Sequence, residues 1–175
     1  MKSLNQVFVV ILLATFALTS GTHAADAQRR AEVVNRSADV MPFNLKDTTH
    51  VFIKTQSGGI QRVIAKNPAD ARQTALVREH LRAIQAQFVK GDFSGPTHIH
   101  GSAMPGLTEL EAAKPGQIEI QYREVDAGAE LTYRTEHKSL VAALHSWFDA
   151  QISDHGDDAM AGEEHRHHHG ALMTQ

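Results

Sequence analysis

Residues 50–89 read HVFIKTQSGGIQRVIAKNPADARQTALVREHLRAIQAQFV, and this stretch decides the fold. His50 to Thr55 and Ile60 to Lys66 are β-branched runs separated by Gln-Ser-Gly-Gly, which predicts a hairpin. Asn67-Pro68-Ala69-Asp70 then supplies a helix start with a cap and an early proline. The helix is expected to reach Val89 and to stop at Gly91. Leu76, Val77, Leu81, Ile84 and Phe88 recur at the three-and-four spacing of a one-sided helix, with His80 set between Leu76 and Ile84.

The same order returns further on. Gln117 to Val125 alternates, with Ile118, Ile120 and Tyr122 on one face. Asp-Ala-Gly-Ala turns the chain, Leu131 to Thr135 alternates again, and a helix is predicted from Lys138 to Ser153. Its stripe is Leu140, Val141, Leu144, Phe148 and Ile152. The expectation is an α+β domain over residues 46–153. Duplicated β-β-α units would form an antiparallel sheet of about four strands, with both helices on one face. Between the halves, Gly91 to Gly116 reads as a loop with one short helical turn around Leu107 to Ala113.

The flanks read differently. Lys2 followed by the apolar run Val7 to Leu18, with small residues at Thr22 and Ala24, predicts an export signal over residues 1–24. The run is shorter than the ~20 residues a bilayer span requires. Residues 25–45 are polar and aperiodic and are expected to form a flexible leader. Residues 154–175, rich in His, Asp and Glu, are expected to be a disordered tail. No second run reaches spanning length, so after cleavage no membrane association is expected. Loss of Lys2 takes the formal charge from −3 to −4, which gives no electrostatic case for nucleic acid.

Twelve histidines and no cysteine define the available chemistry. Without thiols, disulfides and thiolate metal sites are excluded, and any metal must be held by His, Met or carboxylate. Imidazole suits copper and zinc. His98 and His100, if extended, face the same way, and Met104 would add a soft thioether that favours copper first and zinc second. His80 and His145 lie on the apolar stripes of the two helices, one in each half, and His155 opens Asp-His-Gly-Asp-Asp. These six, His80, His98, Met104, His100, His145 and His155, are the candidate metal ligands. Binding through neutral imidazole should weaken as pH drops through about 6. His165, His167, His168 and His169 would add opportunistic affinity.

No nucleophile elbow, phosphate loop or His-Glu-x-x-His is present. The reading is a periplasmic or secreted metal-handling or storage protein carrying a copper or zinc ion. The alternative is a non-catalytic interaction module with no metal in its body, and last comes a small hydrolase using His145 with Asp149 or Asp154.

Several stretches carry a family resemblance: Gly-Gly-Ile-Gln-Arg-Val at 58–63, Gly-Asp-Phe-Ser at 91–94 and Ile-His-Gly-Ser-Ala-Met-Pro-Gly-Leu at 99–107. Leu-Val-Ala-Ala-Leu-His-Ser-Trp-Phe-Asp-Ala-Gln at 140–151 and Ser-Asp-His-Gly at 153–156 extend it. Together they resemble small exported bacterial proteins that are commonly labelled "aspartate carbamoyltransferase". The Ser-Thr-Arg-Thr turn with which that transferase binds carbamoyl phosphate does not occur here, and the chain is short for a two-domain enzyme. The resemblance implies a shared fold, with His100, Met104, His145 and His155 inside its motifs, and no mechanism.

The processing expectation is direct to check. N-terminal sequencing of protein recovered from its native compartment should begin at or near Ala25, and a retained Met1 would refute it.

Overall fold

The structure, a computed structural model, describes residues 19–163. The apolar run expected to direct export, residues 7–18, and the histidines at 165–169 lie outside the described residues. The fold is α+β, with helices α1 (Thr19–Ser37), α2 (Ala71–Phe88), α3 (Ser94–His100), α4 (Leu107–Glu111) and α5 (Lys138–His155). Its strands are β1 (Thr48–Thr55), β2 (Gly58–Ala65), β3 (Glu119–Val125), β4 (Gly128–Arg134) and β5 (Ala159–Ala161). They form one sheet in the order β3-β4-β2-β1-β5.

Each hairpin follows the alternation in the sequence, and β2 and β4 pair antiparallel at the centre, Gln61 opposite Leu131. One face presents His50, Phe52, Gln61, Val63, Ala129, Leu131 and Tyr133, all buried. Phe148 of α5 packs there against Phe52 and Tyr133, with ring centroids 5.1 and 5.9 Å apart. Val77, Leu81, Ile84 and Phe88 of α2 join the same core. Asp70 caps α2, its carboxylate accepting from the Gln73 amide at 3.0 Å. On the opposite face Glu130 is buried between Arg62 and Arg123, which donate to it at 2.6–3.0 Å.

The sheet has five strands rather than about four, because the tail is not disordered from residue 154. Helix α5 continues to His155, a 3₁₀ turn covers Gly156–Asp158, and β5 adds a parallel strand to the free edge of β1. The buried Asp158 carboxylate holds this return, accepting from Lys46 Nζ at 2.7 Å and Lys66 Nζ at 3.2 Å.

The expected flexible leader is also replaced by structure. Residues 19–37 form a helix that meets α3 and α5. From residue 23 onward its buried residues are Val33 and Ser37, and the Ser37 hydroxyl donates back to the Val33 carbonyl. Helix-favouring Ala25, Ala27, Arg29, Arg30, Ala31 and Glu32 carry it without an apolar stripe. The expected cleavage point after Ala24 lies inside this helix. Among the described residues no helix is long and apolar enough to cross a membrane.

Helix α4 seats against α5 at Gly106, where a Cβ would overlap the Ala143 carbonyl oxygen and φ is +78°. Gly101 has a similar φ, +83°, but open space around it. Gly106→Ala should therefore cost about 4 kcal/mol or more, adding collision to strain, and Gly101→Ala, at φ +83° and ψ 157°, about 2 kcal/mol of strain alone. Urea unfolding of the two variants checks this; equal losses would contradict the close seating of α4.

Candidate functional site

The polar end of the core is where histidines converge. Period-two alternation places His50 on the inner face of β1, in phase with Phe52. His100 ends α3, and His155 ends α5. The His50 and His155 rings are stacked, centroids 5.2 Å apart and 1° from parallel. His100 meets His155 edge-on at 5.1 Å and 80°. His80 of α2 approaches from the far side of Phe43, whose ring lies 5.9 Å from His50 and 5.4 Å from His80. These four imidazoles, with Gln61, Gln151 and Trp147, line a cavity of about 30 Å³ roofed by Val40 and Met41. That is room for roughly one or two waters, or one ion.

The hydrogen-bond accounting of the cavity is incomplete in a specific way. His155 Nδ1 and Nε2, His50 Nδ1 and Trp147 Nε1 are all buried without a partner. Each such group costs roughly 1–3 kcal/mol, and native interiors rarely tolerate several together. His100 is different. Its Nδ1 lies 2.8 Å from Asp154 Oδ2, and the Arg29 guanidinium of α1 grips both Asp154 oxygens at 2.6 and 2.7 Å. Burial alone would raise the Asp154 carboxyl, but bonds from His100 and Arg29 outweigh it and hold the group below the ordinary carboxylate value. An ionised Asp154 accepts from His100 Nδ1–H, and Nε2 is the ring nitrogen that Asp154 does not engage.

Burial sets the charge state of the others. It pushes His80 and His155 down to about 4, and for His155 the neighbouring His100 adds to the effect while Asp154 opposes it. His50 is lowered well below its ordinary value by burial first, then by His155 and His80. Near neutral pH these three are uncharged imidazoles.

The six sequence candidates are divided by the structure. His80, His100 and His155 reach the cavity. His98 does not: Ser94 to His100 is helical, so residues two apart point about 200° apart. His98 is exposed, with Nε2 3.0 Å from Asp39 Oδ2. Met104 is buried in the apolar core rather than in the cavity wall. His145 closes the β1–β2 turn, its Nε2 donating between the Thr55 and Gly58 carbonyl oxygens at 3.1 and 2.9 Å. It therefore forms no pair with His80, and Asp154 is engaged by His100 instead. Asp149 pairs with Lys54. The residue that the sequence reading missed is His50, whose parity with Phe52 was the signal. Arg29 carried no signal.

As the side chains stand, no three His, Asp or Glu among the described residues form a coordinating group. The parallel His50 and His155 rings aim their nitrogens alongside each other rather than at one point. No protein-family model, curated protein or solved structure matches the chain.

Neutral buried imidazoles have a consequence for stability. The unfolded chain takes up protons at the ordinary histidine value of 6.5, whereas folded His80 and His155 resist until about 4. Stability is therefore full above pH 6.5 and falls between pH 6.5 and 4, by about 3 kcal/mol at most for each group. The lowered Asp154 and Asp158 add a further loss as pH falls from the ordinary carboxylate value of 3.8 towards their lower folded values. Urea midpoints measured from pH 7.5 to 4.5 should decline, and His80→Gln should flatten the decline. A flat profile in the parent protein would show these rings to be protonated or solvated in the fold.

Proposed function

We propose that this protein binds one borderline divalent transition-metal ion, zinc or copper(II), between α3, α5 and β1, in an exported handling or storage role. His50, His100 and His155 are the ligands, and His80 stands behind Phe43 as a reserve donor. The observation that carries this reading is His155: a buried imidazole with two unpartnered nitrogens, flanked by His50 and His100.

Two further features support it. His100 with Nδ1 on Asp154 is the arrangement that orients a metal-bound imidazole, its carboxylate partner fixing the tautomer and raising ligand basicity. The ring separations of 5.1 and 5.2 Å suit two imidazoles on one tetrahedral ion, for which Zn–N bonds of about 2.0–2.1 Å set centroids about 5 Å apart. Closing the site requires His50 or His155 to turn about its side-chain bonds. Met104 is absent from the cavity wall, so the case for copper over zinc that rested on it falls away; the methionine that lines the cavity is Met41. Burial keeps His50, His80 and His155 deprotonated near neutral pH, so these three rings need lose no proton on taking up an ion.

The family resemblance stands beside this reading, since residues 99–107 and 153–156 bring His100 and His155 to the cavity. We read the two strand–strand–helix halves as a duplicated unit, with the loop and flanks that build the cavity added to it.

The histidines at 165–169 obscure any titration of the native chain, so the test uses full-length protein with His165, His167, His168 and His169 replaced by asparagine. Calorimetry should find one zinc per chain. Zinc at a hundredfold over Kd should stabilise by about 3 kcal/mol, on the order of 10 °C in Tm. His155→Ala should abolish both effects and His98→Ala neither. Absence of binding and of stabilisation in the parent would remove the metal from the body and leave the interaction module.

A further inference from the structure

Helix α1 is held to the domain by polar contacts rather than by a packed face. Of its residues, Val33 and Ser37 are buried, and residues 23–32 are exposed. Burying one valine contributes little towards fixing a helix of 19 residues. The anchoring contacts are elsewhere. Arg29 Nε and its terminal nitrogen bind the two oxygens of Asp154 at 2.6 and 2.7 Å, and that nitrogen also lies 3.3 Å from the His100 carbonyl oxygen. Arg30 Nε donates to the Ser153 carbonyl at 3.2 Å.

These anchors adjoin residues of the cavity wall. Ser153 and Asp154 immediately precede His155, and His100 is itself a cavity residue. Asp154 Oδ2 accepts from Arg29 and from His100 Nδ1 together, at 2.7 and 2.8 Å. One buried oxygen thus links the α1 anchor to the ring that would bind an ion.

We infer that Arg29 is a positioning residue for the metal site, and that docking of α1 and occupancy of the cavity are thermodynamically coupled through Asp154. This rests on the metal reading above. When His100 Nε2 binds a cation, its Nδ1–H becomes a stronger donor and the Asp154 carboxylate is held more firmly in place. Arg29 then finds its two acceptors fixed, so α1 docks more tightly. By reciprocity, α1 held by Arg29 raises the affinity for the ion by the same factor. In the metal-free protein α1 should open more often.

The test uses the full chain with the four tail histidines replaced by asparagine, with zinc as the probe. Hydrogen exchange of residues 25–37 is followed with and without zinc, and zinc affinity is measured in the parent, Arg29→Gln and Arg29→Lys. Zinc should slow exchange across 25–37 about tenfold in the parent and leave it unchanged in Arg29→Gln. Affinity should drop roughly 10- to 100-fold in Arg29→Gln, with partial rescue in Arg29→Lys, which keeps the charge but not the fork. The ¹⁵N shifts of the His100 ring supply a readout that a merely structural role would not move: a fixed Nδ1–H tautomer in the parent, a mixture in Arg29→Gln. Zinc bound with parental affinity by Arg29→Gln, or exchange in α1 indifferent to zinc, overturns the coupling while the metal reading stands. Failure of the parent to bind zinc overturns the metal reading and the coupling with it.

Discussion

A single buried carboxylate, Asp154, ties three helices together at the polar end of the core. It belongs to α5, takes both donors of Arg29 from α1, and receives the ring nitrogen of His100 from α3. An uncompensated buried charge would cost several kcal/mol, so the position demands partners, and removing one from such a pair typically costs about 3–5 kcal/mol. The demand explains the local architecture. Helix α1 has almost no apolar surface to bury and α3 is only seven residues long, yet both are fixed where Asp154 needs them.

From that constraint the cavity follows. With Asp154 oriented towards α1 and α3, the next residue, about 100° round the helix, carries its imidazole towards β1 and stacks on His50. A second carboxylate then secures the return of the chain. Asp158, clamped by Lys46 and Lys66, turns residues 159–161 onto the edge of β1 and closes the wall behind the histidines. Four imidazoles are thereby enclosed in a space too small for an organic ligand but large enough for an ion. Both ring nitrogens of His155 and Nδ1 of His50 lose their water there and find no partner in the interior. On the metal reading proposed above, an ion bound by neutral imidazoles, with its charge spread over the ligand shell and the nearby Asp154, would resolve that deficit in one step.

The central body was legible in the sequence because it obeys simple periods. Strands β1 to β4 alternate and α2 and α5 carry continuous stripes, so their existence follows from residues alone. The cavity was only half legible. Thr97 to Gly101 read as a turn because Gly95 and Pro96 precede it, yet Pro96 occupies the first turn of α3, where its missing N–H costs nothing. That one difference separates His98 from His100 and sends His98 to solvent. Helix α1 lacks a stripe, and β5 has three residues whose pairing partner lies about a hundred positions earlier; neither leaves a local signal. His155 looked like the start of a polar tail because acids surround it, and only the folded chain shows that Asp154 and Asp158 are paired.

The decisive observation is where an ion sits. Crystals of the protein with its four tail histidines replaced by asparagine, grown with one equivalent of zinc, would give an anomalous difference map at the zinc edge. One peak within about 2.0–2.2 Å of ring nitrogens of His100 and His155, with the His50 ring turned towards it, is the predicted result. Zinc found only on exposed side chains such as His98 and His137, with the cavity holding water, would contradict the account.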